Sequence, residues 1–182
     1  MMKSDNTIIY WTRLTHDNWN VYLAATKEGL CYVGSQDKPL EELADWVNVR
    51  FPGSELVRDD AKMQVYSEEL TEYFQGNRDR FEMPMDYKGT AFQSAVWNAL
   101  CHIPYGETYT YTDIANQIGK PAAVRAVGAA IGANPLLITV PCHRVIGKSG
   151  ALTGYRGGLE MKTWLLQLER GRVPVKETAE YV

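Results

Sequence analysis

One cysteine of this 182-residue chain stands where nucleophilic chemistry is possible. Cys142 follows a short apolar run, residues 136–140, and lies between Pro141 and His143. The thiolate is the reactive form of cysteine, and a histidine supported by a carboxylate is a recurrent means of forming it. Glu169 could supply that carboxylate if the fold brings it near His143. Because adjacent side chains often point apart, His143 could also act on the thiol through a water.

The Cys142–His143 pair alone leaves other interpretations open. A cysteine after an apolar run is often a small buried hydrophobe. A cysteine hydrolase would use the same two residue types. The elements that surround the cysteine must therefore help to decide which interpretation applies.

Two short helices joined by a turn are predicted upstream of the cysteine. Thr110 is typical of a helix N-cap, and Asp113 falls in the first turn, where a carboxylate suits the helix dipole. This helix is predicted to end near Ile118. Pro121 suits the first position of a second helix, predicted over residues 122–133. The pattern indicates a helix-turn-helix.

The second of these helices has an unusual composition. Its buried stripe is predicted to be Val124, Val127 and Ile131. Its opposite face carries alanines, at Ala122, Ala126, Ala129 and Ala133. Alanines cannot read base edges, but they allow close approach to a minor groove, where contact is largely independent of sequence. Arg125 could then fill the stack where a nucleotide has flipped out. The same residues could instead permit close helix packing, with Arg125 solvated.

The charge of the chain is unevenly distributed. Residues 1–88 carry 10 basic and 16 acidic residues, a net −6, whereas residues 89–182 carry 9 and 6, a net +3. No acidic residue occurs between Asp113 and Glu160. The basic residues of this window are Lys120, Arg125, Arg144, Lys148 and Arg156. A polyanion could dock there, although a short acid-free window can also arise by chance.

The order of predicted elements indicates an α+β fold. Three β-like runs come first, at residues 7–11, 20–25 and 29–34. Predicted helices follow at residues 40–50, 61–74, 91–101 and 159–169, with a connection at 76–89 and a glycine-rich loop at 147–158. We predict an α/β N-terminal domain with a short antiparallel sheet over residues 1–88. A mainly helical C-terminal domain, with a winged-helix-like helix-turn-helix, is predicted over residues 89–182.

Composition and cysteine usage narrow the class of protein. No apolar run is long enough to span a bilayer, so we expect no membrane partner. The N-terminal residues show no secretory signal. Cys31, Cys101 and Cys142 are too few and too dispersed for a disulfide framework. The expected location is therefore a reducing cytoplasm.

Several separated motifs resemble one family. The run PCHRV at 141–145, followed by IGKSGALTGYRGGL, resembles the active-site signature of the O6-alkylguanine-DNA alkyltransferases, also called methylated-DNA–protein-cysteine methyltransferases. The upstream stretches IPYGETYTYTDIA and VRAVGAAIGANP resemble the same family in order and spacing. The resemblance covers roughly residues 90–170. Residues 1–88 fit the family's variable, ribonuclease-H-like N-terminal domain in size and in the order of their elements.

The resemblance implies roles for five catalytic residues. Cys142 matches the alkyl acceptor. His143 matches the residue that deprotonates it through a water, and Glu169 matches the carboxylate that supports this histidine. Asn134 matches the asparagine that braces the turn before the active-site segment. Tyr111 matches the tyrosine whose hydroxyl approaches guanine N3 and can protonate it as the base leaves.

The resemblance also implies a substrate-binding set. Arg125 matches the arginine that replaces the flipped guanine, and Tyr155 matches a wall of the pocket. The backbone carbonyls of Cys142 and Val145 match those that accept from the guanine exocyclic amine. At Arg156, where some members carry a small residue, the backbone N–H would face O6. Its side chain would point to solvent or phosphate, or narrow the pocket. Further predicted binding residues are Ala123, Ala126, Gly128 and Gly157.

The activity implied is direct, stoichiometric transfer of a methyl or larger alkyl group from guanine O6 in double-stranded DNA to Cys142, with O4 of thymine as a second conceivable target. The product is a thioether that no base in the site can hydrolyse, so the protein should act once. We expect a monomer without a cofactor. Some members hold a zinc ion, but Cys31, Cys101, His16 and His102 lack suitable ligand spacing, so we expect no metal.

One alternative within the same DNA-binding class stays open. A non-catalytic DNA-damage-binding or regulatory helix-turn-helix protein would share the helices but not the transfer. Non-catalytic relatives carry tryptophan at the acceptor position, whereas this chain has Cys142. The alanine face also disfavours a regulator that reads sequence.

Overall fold

The computed structural model describes residues 6–171, and within them the first half of the chain builds a four-stranded sheet. Strands β1 (Ile8–His16), β2 (Trp19–Thr26) and β3 (Gly29–Val33) form the antiparallel part that the sequence predicted. A further strand, β4 (Glu55–Arg58), pairs parallel with β1 and gives the order β3-β2-β1-β4. The sheet is therefore mixed. Strand β4 was not predicted, because four residues, two exposed and two half-buried, are too few to establish a period.

The sheet is covered on both faces. Helix α1 (Leu40–Arg50) packs through Leu43 on the face that carries Ile9. Helix α2 (Gln64–Phe74) packs through Leu70 on the opposite face, where the core continues into the second half of the chain. The α+β class is confirmed. The predicted division into domains at residue 88 stays a prediction.

Four helices form the second half of the described chain, up to residue 171. They are α3 (Ala91–Leu100), α4 (Tyr111–Gln117), α5 (Val124–Gly132) and α6 (Leu159–Glu169). The predicted N-cap is confirmed, since the Thr110 side chain accepts from the Asp113 N–H and the Asp113 carboxylate accepts from the Thr110 N–H. Trp97 of α3 donates its indole N–H to the carbonyl of Ala130 on α5, at 2.8 Å. The helix-turn-helix of α4 and α5 is thus fixed to the core.

Two helices begin later than predicted. Residues 61–63 form turns, so α2 begins at Gln64. The prediction of Pro121 as the first helical residue of α5 is wrong. Ala123 is the N-cap of this helix, and its backbone (φ −95°, ψ 27°) is not helical. Helix α5 therefore begins at Val124, and Pro121 belongs to the turn.

A small second sheet joins the helix-turn-helix to the cysteine segment. Strand β5 (Tyr109–Thr110) pairs parallel with β6 (Val145–Ile146). The first residue of α4, Tyr111, follows β5 directly, and a 3-10 turn at Cys142–Arg144 precedes β6. The pairing therefore fixes the start of α4 beside the segment that carries the cysteine. Across residues 6–171, no helix is both long and apolar enough to cross a membrane.

Candidate active site

Cys142 opens the 3-10 turn and is almost fully buried, with 3% of its surface exposed. Its backbone N–H donates to the carbonyl of Val140, at 2.7 Å. Its own carbonyl accepts from the N–H of Val145. The cysteine backbone is therefore held on both sides, as a nucleophile aimed in one direction requires.

Asn134 closes the turn that leads to the cysteine. Its amide Nδ2 donates to the carbonyls of Leu136 and Val140, at 3.1 and 3.0 Å, and its Oδ1 accepts from the N–H of Leu136, at 2.9 Å. Inside this turn Ile138 has a φ of +70°, a conformation that costs a β-branched residue free energy. The buried bonds of Asn134 help to hold the turn in that conformation, which is consistent with the bracing role the resemblance implies.

His143 and Glu169 meet in the interior, as the sequence analysis expected. The distance between His143 Nε2 and Glu169 Oε2 is 2.6 Å, and both side chains are fully buried. The other ring nitrogen, Nδ1, is buried without a hydrogen-bond partner among the described residues. The histidine is thus oriented through Nε2 and leaves Nδ1 free for chemistry.

Glu169 is also the acceptor for groups that sequence reasoning missed. Arg144 donates from Nε to Oε1 at 2.7 Å and from Nη2 to Oε2 at 3.0 Å, a bidentate pair. The Tyr73 hydroxyl of α2 donates to Oε2. Arg144 also donates to the carbonyl of Ile103, at 2.7 Å. Nothing local in the sequence signals Tyr73, because it lies 96 positions from its partner.

The network keeps Glu169 ionised and His143 neutral. Burial opposes ionisation of Glu169, but the hydrogen bonds of His143 and Arg144 and the charge of Arg144 outweigh it and hold its pKa far below the ordinary range. Burial lowers the pKa of His143, and Glu169 offsets this only in part. A neutral imidazole beside a carboxylate is the form that accepts a proton.

Acidification is expected to destabilise the fold through this network. The pKa of Glu169 is depressed by folding, so its contribution is complete above its ordinary value of 4.5 and is lost as the pH falls below it. The lowered pKa of His143 adds a loss that begins below its ordinary value of 6.5, because there the unfolded chain binds the proton more readily. Each proton taken up costs at most about 1.4 kcal/mol per pH unit. Denaturant titrations between pH 8 and 3 measure the slope, and a flat profile contradicts this account.

The surroundings of the Cys142 thiol pull its pKa in two directions. Burial raises the pKa, whereas the hydrogen bond with Asn134 and the positive charges of Arg156 and Lys162 act to lower it. Lys162 is itself 1% exposed and donates to the carbonyls of Val145 and Thr153, at 2.6 and 3.1 Å. Lys162 was not among the predicted site residues. A signal exists, because a lysine falls on the buried side of α6.

The glycine-rich loop folds over the cysteine segment. The Tyr155 hydroxyl is buried without a hydrogen-bond partner among the described residues, and burial raises its pKa well above the ordinary value. A Cβ on Gly157 would come within 2.6 Å of the Tyr155 ring and 2.7 Å of the Met161 sulfur, so both side chains would have to shift to admit it. The Tyr111 hydroxyl lies 2.8 Å from Thr153 Oγ1. Tyr111 therefore lies beside the loop that carries Tyr155.

The alanine face of α5 lies on the surface. Its predicted members, Ala122, Ala126, Ala129 and Ala133, are all exposed, and so is Arg125. Gly128 is half-buried, and a Cβ there would contact the Tyr111 ring at 3.9 Å, an ordinary distance. Close packing against another helix does not account for this face within residues 6–171.

The basic window is only partly a surface feature. Lys120, Arg125 and Lys148 are exposed. Arg144 is buried with Glu169. The expectation that the Arg156 side chain points to solvent or phosphate is wrong, because its guanidinium donates to the carbonyl of Val33, at 2.9 Å, inside the molecule. A half-buried guanidinium turns to carbonyls because unpaired donors are costly there.

The cysteine and metal chemistry of the described part is limited. Cys31, Cys101 and Cys142 are free thiols. Over residues 6–171, no cluster of three or more histidine, cysteine or acidic side chains is arranged to hold a metal ion. Of these three, Cys142 is the cysteine that directly precedes His143 in the chain.

Both halves of the chain match domains of one family of known proteins. Residues 91–171 match the model of the 6-O-methylguanine DNA methyltransferase DNA-binding domain, and residues 9–87 match that family's ribonuclease-like domain. The chain is 63% identical over 169 residues to the inducible methylated-DNA–protein-cysteine methyltransferase of Bacillus subtilis, covering 93% of this chain and 94% of that protein. It is 43% identical to a Methanosarcina barkeri relative of the same name, covering 84% and 92%.

A solved structure extends the comparison to the fold. The crystal structure of Mycobacterium tuberculosis OGT in complex with DNA superposes with a TM-score of 0.77 at 40% identity, covering 91% of this chain and 95% of that one. Sequence, fold and the arrangement around Cys142 therefore agree, and the chain belongs to the 6-O-methylguanine DNA methyltransferase family.

Proposed function

We propose that this chain repairs double-stranded DNA by moving an alkyl group from O6 of guanine to the sulfur of Cys142. The observation that carries the proposal is the buried Cys142 next to His143, whose ring is held by Glu169. The Bacillus subtilis relative is named a methylated-DNA–protein-cysteine methyltransferase, and the Mycobacterium tuberculosis relative was solved with DNA.

In the proposed reaction His143 acts as the base. Its Nδ1, free of protein partners among the described residues, takes the thiol proton through a water. Glu169 stabilises the imidazolium that results, because the carboxylate stays ionised beside it, and Arg144 holds that carboxylate in place through its hydrogen bonds. Asn134, Arg156 and Lys162 favour the thiolate. Once the proton has left, the sulfur is the nucleophile.

The chemical step exchanges one bond for another. The sulfur electron pair forms the S–C bond, the O6–C bond breaks, and its electrons pass to the guanine. A proton from the Tyr111 hydroxyl to N3 avoids release of a bare guanine anion, and the phenolate that remains takes a proton from solvent. The carbonyls of Cys142 and Val145 each accept one protein bond already and retain a lone pair for the exocyclic amine. Tyr155 and Gly157 complete the pocket, and the backbone N–H of Arg156 faces O6.

Docking on DNA is assigned to α5. Its exposed alanines, with Ala123 at the N-cap and Gly128 on the same helix, let the backbone approach the minor groove closely. Arg125 enters the stack as the damaged nucleotide flips out. The reaction leaves a thioether on Cys142, so each molecule acts once. We infer a cytoplasmic location, since the reactive thiol has to stay reduced, and a monomeric protein, because one chain supplies every proposed site residue.

Replacing Arg125 with alanine is expected to slow transfer from duplex DNA about 10- to 100-fold, because the flipped state loses a stacking partner worth a few kcal/mol. Single-turnover rates on duplex and single-stranded O6-methylguanine substrates measure this. The loss should be much smaller on the single strand, which has no gap to fill. The exposed Arg50→Ala variant is the control. Equal losses on both substrates point to charge alone and contradict the intercalating role.

The stoichiometry of transfer tests the proposed function. The protein is mixed with excess duplex that carries one O6-methylguanine labelled in its methyl group, and the label bound to protein is counted. We expect a plateau at one methyl per chain, for the wild type and for Cys101→Ala. Release of label into solution beyond one methyl per chain supports a hydrolase. DNA binding without label supports a non-catalytic recogniser, and either outcome contradicts the proposal.

A further inference from the structure

We propose that Arg156 is a positioning residue that ties the substrate loop to strand β3, so that the ribonuclease-like half of the chain sets the geometry of alkyl transfer. This inference rests on the proposed function and deepens it. It concerns the side chain of Arg156, apart from the role of its backbone N–H at O6.

The guanidinium of Arg156 lies where three segments meet. Nη2 donates to the carbonyls of Val33 and Pro135, at 2.9 and 3.3 Å, and Nε donates to the carbonyl of Asn134, at 3.3 Å. The guanidinium carbon sits 5.5 Å from the centre of the Tyr32 ring, a cation–π distance. One side chain therefore joins the loop to β3 and to the turn before Cys142.

The backbone of the same segments is also joined. The Ser35 hydroxyl donates to the carbonyl of Arg156, at 3.0 Å. The Val33 N–H donates to the carbonyl of Pro135, at 2.9 Å, and Val33 forms an isolated parallel bridge with Leu136. Strand β3 thus continues its hydrogen bonding into the turn that Asn134 closes. Residues of the first half contact the cysteine turn and the substrate loop at once.

The neighbours of Arg156 make its position consequential. Tyr155 and Gly157 flank it, and both belong to the proposed pocket. A Cβ at Gly157 would come within 2.6 Å of the Tyr155 ring, so this ring packs closely against the Gly157 backbone. A planar guanidinium with a fork of donors can bond several carbonyls at fixed angles, whereas the ammonium of lysine is a compact charge on a flexible stem. A lysine at position 156 keeps the positive charge but not the planar set of donors, so it should also loosen the loop.

Saturation kinetics on duplex O6-methylguanine distinguish positioning from general stability. We expect Arg156→Met to lower the transfer rate at saturating DNA about 10- to 100-fold, with the half-saturating DNA concentration within about threefold of the wild type. The transfer rate of Arg156→Lys should remain at least about fivefold below that of the wild type. Ser35 lies in the other half of the chain, and Ser35→Ala should lower the transfer rate about threefold. Arg50→Met is the control for removing an exposed arginine.

Hydrogen exchange of the backbone amides of residues 147–158 gives a readout besides activity, and we expect faster exchange in Arg156→Met. Rates are corrected for the folded fraction from denaturant curves. The inference is overturned if Arg156→Met shows the exchange rates or the transfer rate of the wild type. It is also overturned by full recovery in Arg156→Lys, which would assign the effect to charge near Cys142. If the wild type itself transfers nothing, the proposed function fails instead.

Discussion

Replacing Cys142 with alanine is expected to abolish alkyl transfer and to leave DNA binding intact. Removal of a nucleophile that acts together with its base costs up to about 10⁶-fold in rate, so we expect a loss of at least about 10⁴-fold. The other cysteines offer no substitute. Burial raises the pKa of Cys31 to about 12, and Cys101 lies exposed at the end of α3.

Two measurements on this variant separate chemistry from binding. Single-turnover transfer from duplex O6-methylguanine should be undetectable, while the dissociation constant for the same duplex should stay within about threefold, because one buried sulfur atom contributes little to the DNA-facing surface. Cys101→Ala, which removes an exposed thiol, should behave as the wild type. Transfer by Cys142→Ala at a measurable rate contradicts the assignment of the acceptor.

Replacing Glu169 with glutamine should weaken both the fold and the reaction. The carboxylate accepts from Tyr73, His143 and Arg144, and all of these contacts are buried. Without its charge, the Arg144 guanidinium is left uncompensated, and breaking a buried pair costs about 3–5 kcal/mol. The transfer rate should also fall about 10²- to 10³-fold, because the imidazolium of His143 loses its partner.

Unfolding by denaturant and single-turnover kinetics on the folded fraction measure the two effects of Glu169→Gln separately. Glu160→Gln is the matched control, since Glu160 lies exposed in the first turn of the same helix. It should change the unfolding free energy by less than about 1 kcal/mol. A Glu169→Gln protein as stable and as fast as the wild type contradicts the role given to this network.

The candidate site was predictable where its residues lie in local patterns. Cys142 and His143 stand in one motif, and Thr110 marks the start of α4 by its own side-chain chemistry. The alanine face of α5 followed from helical periodicity, and the structure places it on the surface. These features depend on neighbours within a few residues, which a sequence displays directly.

The remainder depends on contacts between distant segments. Tyr73 reaches Glu169 from the other half of the chain, and Arg156 turns inward because β3 presents a carbonyl to it. No local pattern encodes such pairs. Arg144 was visible as a basic residue, but its burial follows only from the position of α6. Strand β4 was missed for a similar reason, because its four residues show no strand pattern by themselves and the strand is stabilised by its pairing with β1.

Mass spectrometry shows directly whether Cys142 receives the alkyl group. The protein is incubated with duplex DNA that holds one O6-methylguanine, its intact mass is compared before and after, and its peptides are mapped. The account predicts a gain of one methylene per chain, located on the peptide that contains Cys142, with unmodified guanine restored in the duplex. An unchanged mass in a protein that binds the duplex, or a gain located on Cys31, Cys101 or any other residue, contradicts it.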